Sequence, residues 1–169
     1  KSKGIEEYLE IAKKIKKYYP KTEFHVVGSM EENYSRIIED LDNKNIIKYH
    51  GNLINVRDVY QKVHAIIHPS KYNEGLSNVL LEAAAMGRVI LASNTLGCKE
   101  TFIEGKTGYG FNPYDFPSIM NTVYKYISLS LEKKQEMGIN GHQYVSSKYN
   151  RNEILVKYLR ILEALAHKL

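Results

Sequence analysis

The stretch NEGLSNVLLEAAAMG, residues 73–87, decides how this chain is read. It opens on an acid and a glycine, Glu74-Gly75, in a polar loop. Leu76 leads into Ser77-Asn78, residue types that cap helix N-termini. A short apolar helix is predicted over residues 79–86, interrupted only by the charge of Glu82. Gly87 follows, in the position where helices favour a glycine stop. Apolar runs flank the unit: AIIH at 65–68 and VILA at 89–92 each read as a buried strand. A strand–loop–helix–strand unit places its loop at the carboxyl end of a strand and at a helix N-terminus. Open α/β sheets bind ligands there, and helix N-termini favour anions. The expectation is a phosphate held at this loop and flanked by two glutamates.

Outward from that unit the chain alternates helix and strand. Residues 4–19 predict an amphipathic helix, with Ile5, Tyr8, Leu9, Ala12, Ile15 and Tyr19 on one face and Lys13, Lys14, Lys16 and Lys17 on the other. Pro20 ends it. Short strands are expected at 24–27, stopped by Gly28, and at 46–50, stopped by Gly51. Helices are expected at 32–40 and 56–63, and Pro69 closes the strand at 65–68. A strand at 89–93 precedes a loop over 94–104 with one helical turn near 99–104. A short strand at 108–111 and closing helices at 117–130, 131–149 and 152–169 complete the chain. The strands are unbroken apolar runs rather than alternating ones, which indicates a parallel sheet covered on both faces. The fold class is α/β, a Rossmann-like doubly wound parallel sheet in one domain over 1–169. Such a sheet opens with its central strand, whereas this chain opens with a helix. The first strand is therefore expected before Lys1, in a sheet that has lost a middle strand or recruited one from elsewhere.

Composition narrows the classes. The apolar share is 43% and the charged share 25%, ordinary for a soluble globular domain, and no run approaches a membrane span. The single cysteine, Cys98, excludes an internal disulfide and zinc sites of several thiolates. No metal ligand set is expected, and a cytoplasmic location is the default. The net charge of +5 suits anionic ligands or an anionic surface, and equally suits lysines on solvated helix faces. The six histidines show no spacing that gathers several on one helix face, and His68, at a strand end, reads as hydrogen-bonded scaffolding. Residues 105–108, GKTG, lack the leading glycine and spacing of a P-loop and read as a turn.

In order and spacing, a set of residues resembles the GT4 family of retaining glycosyltransferases: Lys3-Gly4, Val27-Gly28, Gly51, His68-Pro69-Ser70, Glu74-Gly75, Glu82-Ala83, Gly87, Val89-Ile90, Gly97, Glu100, and Glu104-Gly105 with Gly108. Glu74 and Glu82, with seven residues between them, are that family's hallmark. The likeness is strong from about Lys3 to Phe111 and loose over the closing helices. Arg88 departs from it, standing where the family often has proline. The resemblance implies the C-terminal, nucleotide-sugar-binding half of a GT-B enzyme, with the N-terminal acceptor-binding half absent.

It also implies roles. The donor would be a nucleoside diphosphate sugar, UDP being the commoner carrier in the family, and no further cofactor is implied. GT-B enzymes generally work without a metal, so the protein must neutralise the departing diphosphate. The candidates are Lys3 and the helix start at Gly75, Leu76, Ser77, Asn78 and Val79. Glu82 would accept hydrogen bonds from the ribose hydroxyls. Glu74 would touch the transferred sugar and steady positive charge at the anomeric carbon, as the catalytic residue. Gly28, Gly51, Asn52 and Leu53 would border the base through backbone groups. Plainer alternatives stand beside each: a terminal lysine for Lys3, a backbone-bonded carboxylate for Glu82, a surface acid for Glu74 and ordinary strand-ending turns for the glycines. Expected partners are the donor, the missing acceptor half and a glycan or lipid-linked acceptor, with no nucleic acid. Contact with the inner face of a membrane would be weak and salt-sensitive, because the helix at 4–19 lacks the broad apolar face of an interfacial anchor. A non-catalytic nucleotide-binding scaffold of the same fold is the competing reading. An epimerase of the same architecture is disfavoured by the Glu74/Glu82 spacing.

Overall fold

A computed structural model describes residues 3–30, 32–73 and 75–166. Helix α1 (Ile5–Tyr18) leads to β1 (His25–Val26), α2 (Ser35–Asn43), β2 (Lys48–Tyr49), α3 (Arg57–Tyr60) and β3 (Ala65–His68). Helix α4 (Asn78–Ala85), β4 (Val89–Ser93), a 3₁₀ segment Leu96–Thr101 and β5 (Gly108–Phe111) follow. The chain closes with α5 (Phe116–Ile127), α6 (Leu131–Lys148) and α7 (Arg151–Ala166).

Every strand pair is parallel, and β4 shows why its sequence is unbroken and apolar. All five of its residues are buried. Val89 and Leu91 join a core with α1, α2 and α5, whereas Ile90 and Ala92 join a second core with Tyr60 of α3, the inner face of α4 and Val145 of α6. A strand buried on both faces has no polar side to alternate with. Helices therefore cover the sheet on two sides, which is the doubly wound arrangement the sequence implies.

The sheet is nonetheless divided. β1 and β2 form one pair, and β3, β4 and β5, in that order, form a separate sheet. The single sheet expected from the sequence is thus found in two pieces, with β1 and β3 both bordering one cleft.

Helix α1 buries Leu9, Ile11, Ala12 and Ile15. Tyr19 departs from the expected apolar face: it is 42% exposed, because the helix ends at Tyr18 and the cap backbone turns the next side chain outward. Ile11 takes part instead, fully buried. At the far end of α4, Gly87 adopts φ 69°, the left-handed stop its position implies. Arg88 then donates to the Met86 and Val63 carbonyls at 2.8 and 2.7 Å, tying the helix end to the entry of β3. Every described side chain of α7 is exposed, including Leu155, Leu159 and Leu162. Among the described residues no helix is long and apolar enough to cross a membrane.

Candidate functional site

One cleft of about 1210 Å³ runs the length of β1 and β3, from residues 18–24, Tyr126 and Leu131 at their amino ends to their carboxyl ends, where the first turn of α4 and the start of the chain border it. At that carboxyl end Lys3, Gly28, Asn52, Leu53, Val79 and Glu82 line it, brought from four separate segments of sequence. Gly51, Gly75, Leu76, Ser77 and Asn78 stand beside it rather than in its wall. Glu74 lies outside the described residues.

Each wall position has a local cause. Gly28 ends β1 with φ 140°, a conformation that side chains rarely adopt, and its N–H donates to the Gly51 carbonyl at 2.8 Å. The Tyr49 hydroxyl donates to the Gly28 carbonyl at 2.8 Å, so the two strand-ending turns are locked to each other. Gly51 has φ 66° and sends Asn52 and Leu53 toward the cleft. Gly4, with φ 81°, is pressed against Pro69: a Cβ there would sit 2.1 Å from the Pro69 carbonyl oxygen. That contact holds the chain start at the end of β3. Lys3 is exposed, and its ammonium lies 5.3 Å from the centre of the Tyr72 ring, beside the loop that carries residue 74.

Ser77 is the N-cap of α4, as its residue type implies, but its hydroxyl makes no cap bond. Its Oγ is buried and has no hydrogen-bond partner among the described residues. Its own N–H donates to the Gly97 carbonyl at 3.3 Å. The next N–H groups, of Asn78, Val79 and Leu80, have no intrahelical acceptor, since the first such bond runs from Leu81 to the Ser77 carbonyl. Orphan donors and an unsatisfied hydroxyl thus meet at one helix start, which is favourable for an anion. Glu82, one turn further on, is exposed on the cleft side of α4. Its carboxylate adds to burial in pushing the Tyr60 phenol up to about 12, and the Tyr60 hydroxyl donates to the Val79 carbonyl at 3.2 Å. Gly97 is buried behind the helix start, whereas the Glu100 carbonyl is held by the Tyr144 and Tyr149 hydroxyls at 3.0 and 2.8 Å, away from the cleft.

The cleft also holds a group that the histidine spacing does not announce. The His25 and His50 rings lie nearly coplanar, 4° apart with centres 5.1 Å from each other, and meet edge to edge, His25 Nδ1 lying 2.9 Å from His50 Nε2. Glu23 reaches His25 Nε2 at 3.3 Å and the Lys48 ammonium at 2.6 Å. Burial holds the His25 imidazole below its ordinary value, against the pull of Glu23 and with a further push from His50. The pairing arises from register. His25 lies opposite Lys48, so His50, two residues on, shares its face. The available signal is a histidine three residues ahead of Gly28 and another directly ahead of Gly51, which has meaning only once the two strands are known to be neighbours. Among the described residues no group of three or more His, Cys, Asp or Glu could hold a metal ion.

A Rossmann-like α/β body with a cleft along its strands is compatible with the class of GT-B glycosyltransferase domains, and comparison with known proteins places the chain in that class. The chain belongs to the family described as Glycosyl transferases group 1, whose model matches residues 1–144. It is 26% identical over 156 residues to the capsular polysaccharide biosynthesis glycosyltransferase CapM of Staphylococcus aureus, covering 89% of this chain and 40% of CapM. It is 27% identical over 164 residues to a diphospho-undecaprenol N-acetylgalactosaminyltransferase of Campylobacter jejuni, covering 95% of this chain and 41% of that enzyme. The chain thus spans about two fifths of the length of these relatives. Among solved structures, the fold matches sucrose-phosphate synthase from Thermosynechococcus elongatus with TM-score 0.81 at 22% identity, over 99% of this chain and 43% of that one. It also matches Anabaena HepE in complex with UDP-glucose, with TM-score 0.79 at 18% identity, over 98% and 46%.

Proposed function

We propose that this chain is the donor-binding half of a retaining GT4 glycosyltransferase that moves a sugar from a nucleoside diphosphate, UDP in preference to GDP, to a glycan or lipid-linked acceptor. The observation that carries this reading is the convergence of Lys3, Gly28, Asn52, Leu53, Val79 and Glu82 on one cleft. The diphosphate is placed at the start of α4, where the N–H groups of Asn78 and Val79, the Ser77 hydroxyl and the Lys3 ammonium would neutralise the charge released as the sugar bond breaks. Glu82 takes the ribose hydroxyls, and backbone groups at Gly28 and residues 51–53 take the base. Glu74 serves the anomeric carbon. No metal is needed in this scheme, because helix dipole and lysine supply the positive charge.

The kinship with CapM favours a polysaccharide-building role, and a solved complex of a structural neighbour with UDP-glucose favours UDP. The acceptor binds in the other half of the full protein, and closure of the two halves completes the site. The chain by itself then binds nucleotide weakly and does not turn over.

Calorimetric titration of UDP and GDP, each alone, tests the reading. UDP is expected to bind, more tightly than GDP. Glu82→Ala removes hydrogen bonds to a charged acceptor, about 1.5–3 kcal/mol, and so is expected to weaken UDP by at least about tenfold. Absence of binding by both nucleotides favours the scaffold reading, and an unchanged affinity in Glu82→Ala removes the ribose role.

A further inference from the structure

Between the end of β3 and the start of α4 the chain crosses residues 70–76. Both ends of this segment are fixed by backbone contacts: Pro69 packs on Gly4, and the Ser77 N–H donates to the Gly97 carbonyl. Near its start Ser70, fully buried, closes a local turn, its Oγ accepting from the Tyr72 N–H at 3.2 Å. Lys71 is where the segment is tied to other elements. Its ammonium donates to the Glu7 carboxylate, in the first turn of α1. Its carbonyl accepts from the Tyr114 hydroxyl at 3.4 Å, and its ammonium lies 5.9 Å from the centre of the same ring. Tyr114, in the turn between β5 and α5, is itself held by its N–H, which donates to Asn112 Oδ1 at 3.0 Å.

The Glu7–Lys71 pair differs from the ion pairs within single helices. It joins residues 64 positions apart, so it fixes one element against another. The Glu7 side chain is only 15% exposed and that of Lys71 35%, against 53% and 63% for Asp40 and Lys44 within α2 and beside it, so water screens the pair less. The bond to Glu7 raises Lys71 above the ordinary lysine value, which keeps the ammonium charged at neutral pH. With its charge engaged by a carboxylate, Lys71 acts on the shape of the segment rather than on an anionic ligand. A second link runs between the same two parts of the chain, since the Lys3 ammonium lies over the Tyr72 ring. We propose that Glu7 and Lys71 are positioning residues for the donor site: their ion pair is a strut from α1 that holds the segment leading into the first turn of α4. The inference rests on the donor reading, in which this segment carries Glu74 and ends at the diphosphate. Neither residue stands out in the sequence, because only the fold brings them together.

The test uses the full protein that contains this chain, with two readouts, amide hydrogen exchange and calorimetric titration of UDP. Glu7→Gln and Lys71→Met are each expected to speed exchange over residues 72–77 by about fivefold or more, and to weaken UDP by about threefold to tenfold. Exchange in β4 is expected to stay as in the wild type, which separates loss of the strut from a general loss of stability. The double variant Glu7→Gln/Lys71→Met is expected to be no worse than either single one, because all three remove the same pair. The reversed pair Glu7→Lys/Lys71→Glu is expected to recover much of both readouts. Wild-type exchange over 72–77 in the single variants overturns the proposal. A double variant weakened by the product of the two single effects also overturns it, since side chains that act independently form no strut. Faster exchange with unchanged UDP affinity overturns the positioning role. Failure of the wild type to bind UDP or GDP refutes the donor reading and the positioning role with it, whereas a wild type that binds beside variants that exchange and bind alike refutes the pair alone.

Discussion

Replacing Gly4 by alanine tests how the start of the chain is fastened to the sheet. Gly4 has φ 81°, and an L-residue held in the left-handed region costs about 1–2 kcal/mol. Alanine recovers roughly 0.4–1 kcal/mol of this by restricting the unfolded chain. The decisive contribution is steric. The new Cβ would meet the Pro69 carbonyl oxygen at 2.1 Å, its carbon at 2.6 Å and Cγ at 2.7 Å, where ordinary contact begins near 3.4 Å. Two of those atoms are backbone at the end of β3, so relief requires moving the strand end or the first turn of α1. Overpacking of this kind costs about 1–3 kcal/mol. The sum is a loss of about 2–4 kcal/mol. Gly105→Ala is the control, since Gly105 has φ 72° but nothing within 4 Å of an added Cβ. It is expected to cost only the conformational part, about 1 kcal/mol. Urea unfolding followed by far-ultraviolet circular dichroism separates them. With a slope of about 1–3 kcal/mol per molar, a 2 kcal/mol gap moves the midpoint by roughly 1 M. Equal midpoints for the two variants refute the close packing of Gly4 on Pro69, and with it the anchoring of Lys3 at the cleft.

Two further perturbations have signs that the structure decides. Gly138→Ala should stabilise by about 1 kcal/mol on helix propensity alone, but its Cβ would lie 2.3 Å from the Gly87 carbonyl oxygen, so a net loss of about 1–2 kcal/mol is expected in the same urea assay. A stabilised variant means that α6 does not approach the end of α4 so closely. Burial, foremost, depresses His25 in the folded state, with His50 and Lys48 pushing the same way and Glu23 opposing. The unfolded chain therefore takes up the proton first, and stability is full above about pH 6.5 and falls as pH drops below it. Tm is expected to be lower at pH 5.5 than at pH 7.5, and His25→Gln is expected to flatten that dependence; an equally steep decline in the variant assigns the effect to other groups.

In the three-stranded sheet the residue pattern suffices: 65–68 and 89–93, read from apolar runs, and 108–111, read as a short strand, are found as β3, β4 and β5. The expected strands at 24–27 and 46–50 shrink to His25–Val26 and Lys48–Tyr49. Phe24 and Ile47 are buried as their types imply, yet a two-stranded ladder with an open edge extends less far than an apolar run suggests. The region expected as a helix at 32–40 is a 3₁₀ turn followed by α2, three residues later at its end, because nothing in the polar sequence 31–36 specifies the pitch of the first turn. At the site, the capping pair, the stop at Gly87 and the turns at Gly28 and Gly51 are legible because each answers a local backbone requirement. That Glu82 and Lys3 border one cleft is not a local property, and only the family resemblance points to it. The His25–His50 pair entered by no route, since it depends on the pairing of strands 25 residues apart.

On the donor reading proposed above, the base would meet backbone rather than side chains. Gly28 and Gly51 contribute backbone alone, and they are fixed by each other and by Tyr49 rather than by a ligand. On that reading, backbone donors and acceptors would pair with the edge of either a uracil or a guanine, so the choice between them would rest on the space between the two turns and the wall formed by Val79 and Glu82.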